Sequence, residues 1–164
     1  MIPLTTRVLC AMRAELDCWD NGFLQAGANI PKAIVEGSLP IRAIEEFPRG
    51  SYPEHLCREI AHLAGLPYHD DPEEMTSFGP YNVTAEHVAS IVGILYSITE
   101  GEVSIEHMGF GFHEETLEYH NLTLHTVRRF MRGLSLLDAA HMLHAAWKVP
   151  LAAACPPPQE RALR

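Results

Sequence analysis

The spacing of apolar residues predicts a chain built mainly from α-helices. Over residues 6–20 apolar side chains recur every three or four positions, and Asn21-Gly22 is expected to end this first helix. The stretch 27–50 contains three prolines, which break helices. There we expect only short helical turns, over residues 40–47, or a short strand at Ile34-Val35.

Three later segments combine an apolar stripe with residues that start and stop helices. A second helix is expected to begin near Pro53 and to end at Gly65. A third begins after Thr84, and its mostly apolar sequence predicts the most buried helix of the fold. The last begins after Ser135, which forms a capping-box pattern with Asp138.

Strand signals are few. Residues 103–105 are compatible with a short strand, and the segment Gly109-Phe110-Gly111-Phe112 is expected to be a turn with aromatic anchors. The predicted fold is therefore mainly α: a single-domain bundle of about five helices over residues 1–150, with irregular Pro- and Gly-rich connections and at most a short strand pair. A Pro-rich tail, 151–164, is expected to follow it.

Composition then limits the possible cellular locations and classes of function. Hydrophobic residues make up 47% of the chain, and the formal net charge of −9 disfavours nucleic acid as a default partner. The four cysteines show no CxxC spacing, the first ten residues lack the pattern of a secretory signal, and no apolar run reaches the length of a membrane span. We therefore expect a cytoplasmic protein without membrane contact. No phosphate-binding, dinucleotide-binding or serine-nucleophile motif occurs, so we predict no cofactor, and these motifs give no support for an enzymatic activity.

Acidic residues cluster in the loop that follows the second helix. This loop contains carboxylates and aromatic side chains that could bind a basic partner surface: Tyr68, Asp70, Asp71, Glu73, Glu74 and Phe78. Complementary charge speeds association, and aromatic anchors supply affinity. The leading hypothesis is a small, acidic, non-enzymatic regulatory or inhibitory protein that binds another protein, such as a nucleic-acid-binding protein. A merely solvated surface is the alternative for such a loop.

A second hypothesis comes from the sequence LTLHTVRRFMRG at residues 122–133. This pattern and the apolar helix after it resemble the recognition helix and following helix of phage-repressor-type helix-turn-helix domains. The resemblance implies a first helix over 114–120, a turn at Asn121-Leu122, and a recognition helix over Thr123–Arg132. It also implies DNA contacts through four side chains, His125, Arg128, Arg129 and Arg132, and binding as a homodimer to two half-sites.

The same region supports a different interpretation. Apolar positions from Leu117 to Leu134 alternate spacings of three and four, as in one uninterrupted amphipathic helix packed on a core. The arginines would then form a solvated face. Whether residues 114–132 form one helix or two stays open at this point.

The third hypothesis is a histidine-based metal-dependent enzyme. The chain has ten histidines, and the pair Asp138 and His141 has the spacing of carboxylate–histidine ligands in helical bundles. His144 lies closer to the apolar stripe of the same helix. Because Asp138 and His141 are expected opposite that stripe, His141 and His144 are only weak candidates, and we predict no metal site.

Overall fold

The computed structural model describes residues 2–49, 52–68, 83–105 and 109–155. Within these ranges the chain forms nine helices and one pair of short strands, which confirms a mainly α fold. In chain order the elements are α1 (Leu4–Leu16), α2 (Asn21–Glu36), α3 (Ile41–Glu45), α4 (Glu54–Leu63), α5 (Ala85–Thr99), β1 (Val103–Ser104), β2 (Phe110–Gly111), α6 (Glu114–Tyr119), α7 (Leu124–Met131), α8 (Leu136–Trp147) and α9 (Leu151–Ala154).

Helices α8 and α5 form the centre of the bundle. Helix α8 packs on α1, α2 and α5, and α5 also contacts α2 and α4. Alanines on the buried side of α8 let the neighbouring helices approach closely, while α5 contributes larger aliphatic side chains. The buried residues of these two helices include Ala139, Ala140, Leu143 and Ala146 from α8, and Val88, Ile91, Val92, Leu95 and Ile98 from α5.

The N-terminal caps predicted for the third and the last helix both form in the structure. Ser135 and Asp138 form the capping box of α8, with Ser135 Oγ accepting from the Asp138 N–H at 3.0 Å. Thr84 caps α5, but its box uses an unexpected partner, since His87 Nδ1 accepts from the Thr84 N–H at 3.1 Å. An imidazole therefore takes the place that Glu or Gln usually fills.

The strands form a parallel pair, with Val103 opposite Phe110. The segment 109–112 was expected to be a turn, and that prediction is wrong for β2, although Phe110 and Phe112 do anchor it in the core. Gly109 has φ of 77°, and a Cβ there would lie 1.8 Å from the carbonyl oxygen of Glu102. The close approach of the two segments therefore requires glycine at this position.

The prediction for residues 21–36 is wrong. Asn21-Gly22 does not stop a helix but opens α2, because the Asp20 side chain accepts from the Phe23 N–H at 3.2 Å and caps the new helix. Helix α2 then continues through Pro31, so Ile34 and Val35 are helical and not part of a strand.

The first residues of the predicted C-terminal tail form a helix that was not expected. Residues 151–154, which the sequence assigns to a tail, form the short helix α9 against α1, and Ala154 is buried. The Pro-rich residues 156–164 lie outside the described part of the chain.

Candidate nucleic-acid interface

The backbone breaks between α6 and α7, so the interpretation of residues 114–132 as one helix is wrong. Asn121 has φ of 55°, a left-handed conformation that asparagine tolerates better than most residues. The N–H of Leu122 then donates to the carbonyl of Leu117 at 2.8 Å, which closes α6. Thr123 starts α7, its Oγ1 accepting from the Thr126 N–H at 3.1 Å. Two short helices joined by the turn 120–123 result, as the resemblance implied.

The turn is fixed to the bundle by contacts that are distant in sequence. Arg7 Nη1 on α1 donates to the carbonyl oxygen of Asn121 at 2.8 Å. The buried ring of His120 lies with Nε2 3.2 Å from the carbonyl oxygen of Ala154 in α9, so Nε2 carries the proton of this hydrogen bond. The turn is thus held between the first and last described helices.

The start of α6 is fixed in the same way. Glu15 on α1 is 5% exposed, and its carboxylate accepts from the His113 N–H at 2.9 Å and lies 2.8 Å from His113 Nδ1. His113 is the N-cap of α6, so a buried carboxylate sits at the positive end of this helix. Both ends of α6 are consequently anchored on α1.

Helix α7 has two distinct faces. Val127 and Met131 are fully buried against the bundle. The four side chains predicted to meet DNA lie on the exposed side of the segment: His125, Arg128, Arg129 and Arg132. From Tyr119 to Leu137 the sequence contains no Asp or Glu, although acids outnumber Lys and Arg by 21 to 12 over the whole chain. This stretch of the sequence is therefore basic within an acidic protein.

The three arginines are not equivalent. Arg128 Nε donates to the carbonyl oxygen of Val103 in β1 at 3.1 Å, so this side chain also fixes α7 to the strand pair. Within the described ranges no carboxylate pairs with Arg129 or Arg132. These two guanidinium groups are available to a ligand.

The predicted protein-docking loop falls mostly outside the described part of the chain. Asp70, Asp71, Glu73, Glu74 and Phe78 lie outside the described residues. Tyr68 is described: it is half-buried, forms a bridge with Val83, and has the guanidinium carbon of Arg58 5.9 Å from its ring centroid. The role of this loop stays a prediction.

The two histidines named as weak metal candidates lie on α8, His141 exposed and His144 half-buried. Among the described residues no group of three or more His, Cys, Asp or Glu is placed to hold a metal ion. Asp138 is engaged otherwise, since hydrogen bonds from Ser135 hold the pKa of its carboxyl below the usual value. Asp138 therefore serves the cap of α8, which explains its place in the sequence without a metal ion.

Sequence reasoning missed a cavity of about 200 Å³ between α5 and residues 47–49. Its wall includes Gly93, and a Cβ there would meet no atom within 4 Å. A glycine in the middle of an apolar helix was the only signal in the sequence, and it does not distinguish a cavity from close packing.

No protein-family model, curated protein or solved structure matches this chain. Among the helices in the described ranges, none combines the length and hydrophobicity required to cross a bilayer.

Proposed function

We propose that the protein is a DNA-binding regulator that docks the turn 120–123 and α7 on duplex DNA. The observation that carries this proposal is the separate helix α7, which follows a turn fixed by Asn121 and presents a basic face outward. A helix with one buried and one exposed basic face, held rigidly after a short preceding helix, is the arrangement that helix-turn-helix proteins use.

The dimensions and spacing of α7 suit the major groove. Its eight residues span about 12 Å at 1.5 Å per residue, and the groove admits an α-helix. His125 and Arg129 are four residues apart and share a face, so they are the side chains assigned to base edges. Arg129 can donate two hydrogen bonds to guanine, while Arg132 and the remaining donors of Arg128 are assigned to phosphates.

Electrostatics permit this docking despite the net charge of −9. At physiological ionic strength the Debye length is about 8 Å, so carboxylates farther than that from the phosphates are largely screened. The segment 119–137 contains no acid, so the turn and α7 bring only basic and neutral side chains to the DNA, while the exposed Glu114, Glu115 and Glu118 of α6 lie outside the docked segment. The acidic remainder would suppress non-specific binding, because it repels phosphate wherever another face approaches.

Two copies are expected to act together, since modules of this kind read half-sites about one helical turn apart. The predicted cytoplasmic location of such a homodimer is part of this proposal. The acidic loop at 70–74 can keep its predicted role in binding a basic protein, because DNA docking through α7 does not require it.

The test measures binding of the full chain to fluorescently labelled duplexes by anisotropy, first with a random-sequence pool and then with selected sites. The double variant Arg129→Glu, Arg132→Glu should lose binding, and the wild-type dissociation constant should rise with salt with a log–log slope of about 3. Arg42→Glu is the control for a charge reversal elsewhere on the protein: Arg42 lies on α3 and is 83% exposed, so the change leaves the α6–α7 unit unchanged. Binding that both variants retain equally would refute the proposal.

A further inference from the structure

The cavity between α5 and the segment after α3 combines an apolar floor with a charged rim. Phe47 and Val92 form buried parts of its wall, and the exposed Gly93 leaves open space at its mouth where a side chain would stand. Its volume of about 200 Å³ is below the roughly 300–1,000 Å³ of sites for drug-sized ligands. The space therefore suits a small molecule with one compact apolar group.

The rim carries net negative charge. Arg49 forms an ion pair with Glu100, and its guanidinium carbon lies 4.4 Å from the centroid of the Tyr96 ring. Glu102 also lines the cavity, and within the described ranges no basic side chain pairs with its carboxylate. Among the described lining residues, two carboxylates and one guanidinium give a net charge of one negative unit, with the Glu102 carboxylate exposed at the mouth of the cavity.

We propose that this cavity binds a small organic cation, a primary ammonium group on an apolar body, and that this ligand regulates α7. The apolar body occupies the space beside Gly93, and the ammonium group donates to Glu102 and competes with Arg49 for Glu100. A charge-assisted hydrogen bond at the edge of an apolar cavity gives both affinity and orientation. The regulatory part rests on the DNA binding proposed above, whereas the ligand site does not.

The route from the cavity to α7 is short. Glu100 and Glu102 flank Gly101, whose φ is 68°. A Cβ on Gly101 would lie 2.8 Å from the carbonyl oxygen of Arg128 and 3.2 Å from Arg132 Cβ, so the backbone here directly supports α7.

Two hydrogen bonds reinforce this contact. The N–H of Gly133 donates to Thr99 at 3.2 Å, and Arg128 Nε donates to Val103. Residues 99–103 thus have the cavity on one side and the basic helix on the other. A ligand that displaces Glu100 or Glu102 also moves the support of α7.

The first experiment titrates 2-phenylethylamine into the ¹⁵N-labelled full chain and follows amide resonances by NMR, in the absence of DNA. Two compounds with the same apolar body, 2-phenylethanol and phenylacetate, are the controls. The amine should bind about tenfold more tightly than the alcohol, and it should shift the resonances of Gly93, Glu102 and Gly133. Equal affinity of the amine and the alcohol, or shifts confined to other residues, would overturn the site.

Two variants sharpen the test. Gly93→Leu fills the cavity, and its amine affinity should fall at least about tenfold, whereas a retained affinity would place the ligand elsewhere. Glu102→Gln should weaken the amine but leave the alcohol unchanged. A loss of both ligands in Glu102→Gln would instead show that the carboxylate maintains the fold of the cavity, and the charge argument would fail.

The second experiment repeats the DNA titration with saturating amine. The dissociation constant for DNA should change by about fivefold or more in the wild type and should not respond to amine in Gly93→Leu. An unchanged wild-type constant overturns the regulation. If the amine binds as described but no duplex binds even without it, the proposed function fails and the ligand site stands.

Discussion

The indole N–H of Trp147 donates to the carbonyl oxygen of Gly27 at 2.9 Å, and Gly27 is the residue four positions before Pro31. In an α-helix this carbonyl would accept from the N–H of residue 31, which proline lacks. The side chain of α8 thus replaces the missing backbone donor of α2. This hydrogen bond explains how a buried proline is accommodated inside a 16-residue helix.

We expect Trp147→Phe to lower the free energy of unfolding by about 1–3 kcal/mol beyond the loss of packing, because it leaves a buried carbonyl without a donor. Urea denaturation followed by circular dichroism would measure it. In a Pro31→Ala background the backbone N–H is restored, so the same Trp147→Phe change should cost less. Equal costs in the two backgrounds would contradict the proposed relationship.

Local sequence signals predicted the starts of α5 and α8, but they missed the equally local cap of α2 by Asp20. Thr84 before α5 and Ser135 before α8 mark helix starts that depend on residues within three positions. The continuation of α2 through Pro31 depends instead on Trp147, 120 positions away from Gly27, so Pro31 taken alone wrongly predicts a break in the helix. Proline could not be interpreted without knowing what packs on the helix.

The candidate site also has a part that could be predicted from local sequence and a part that could not. His125 and Arg129 could be named from the sequence, because residue types and spacing define an exposed basic face. The break between α6 and α7 could not be predicted, because the spacing of apolar residues fits one helix equally well. A histidine such as His120 can lie on either the buried or the exposed face of a helix. Arg7, 114 positions from Asn121, helps to fix the turn. The cavity beside Gly93 depends on the approach of residues 47–49, which no local pattern encodes.

Two helical glycines offer a matched test of packing. A Cβ at Gly27 would lie 2.3 Å from a ring carbon of Trp19, whereas one at Gly93 would meet no atom within 4 Å. Gly27→Ala should therefore destabilise the protein by about 1–3 kcal/mol through overpacking. Gly93→Ala should stabilise it by about 0.5–1 kcal/mol, because alanine favours the helix. Thermal and urea denaturation of both variants would check the opposite signs; a stabilising Gly27→Ala would refute the close packing of Trp19.

His144 gives stability a pH dependence with a defined sign. Burial lowers the pKa of its imidazole, and the neighbouring positive charge of Lys148 adds to the effect. In the unfolded chain the imidazole has its ordinary pKa of about 6.5. In the folded protein its pKa is lower, so it takes up a proton only at lower pH. The unfolded state then binds more protons, so this group makes stability fall as pH drops below that value.

Replacing this ring removes that contribution. The stability of the wild type relative to His144→Gln should be greatest near pH 8, where the ring is neutral in both states, and should decrease toward pH 5. Urea midpoints measured across this range would show the trend. Parallel pH profiles for the two proteins would contradict a lowered pKa.

The left-handed conformation of Asn121 connects stability to the proposed DNA binding. Glycine adopts φ of 55° without strain, so Asn121→Gly should keep both the fold and the affinity for DNA. The β-branched variant Asn121→Val should lose about 1–2 kcal/mol of stability, because its Cβ crowds the backbone in this region. Since the turn sets the direction of α7, Asn121→Val should also weaken duplex binding in the anisotropy assay, under conditions where circular dichroism shows it folded. A folded Asn121→Val protein that bound DNA as tightly as Asn121→Gly would show that the turn does not orient α7 for DNA.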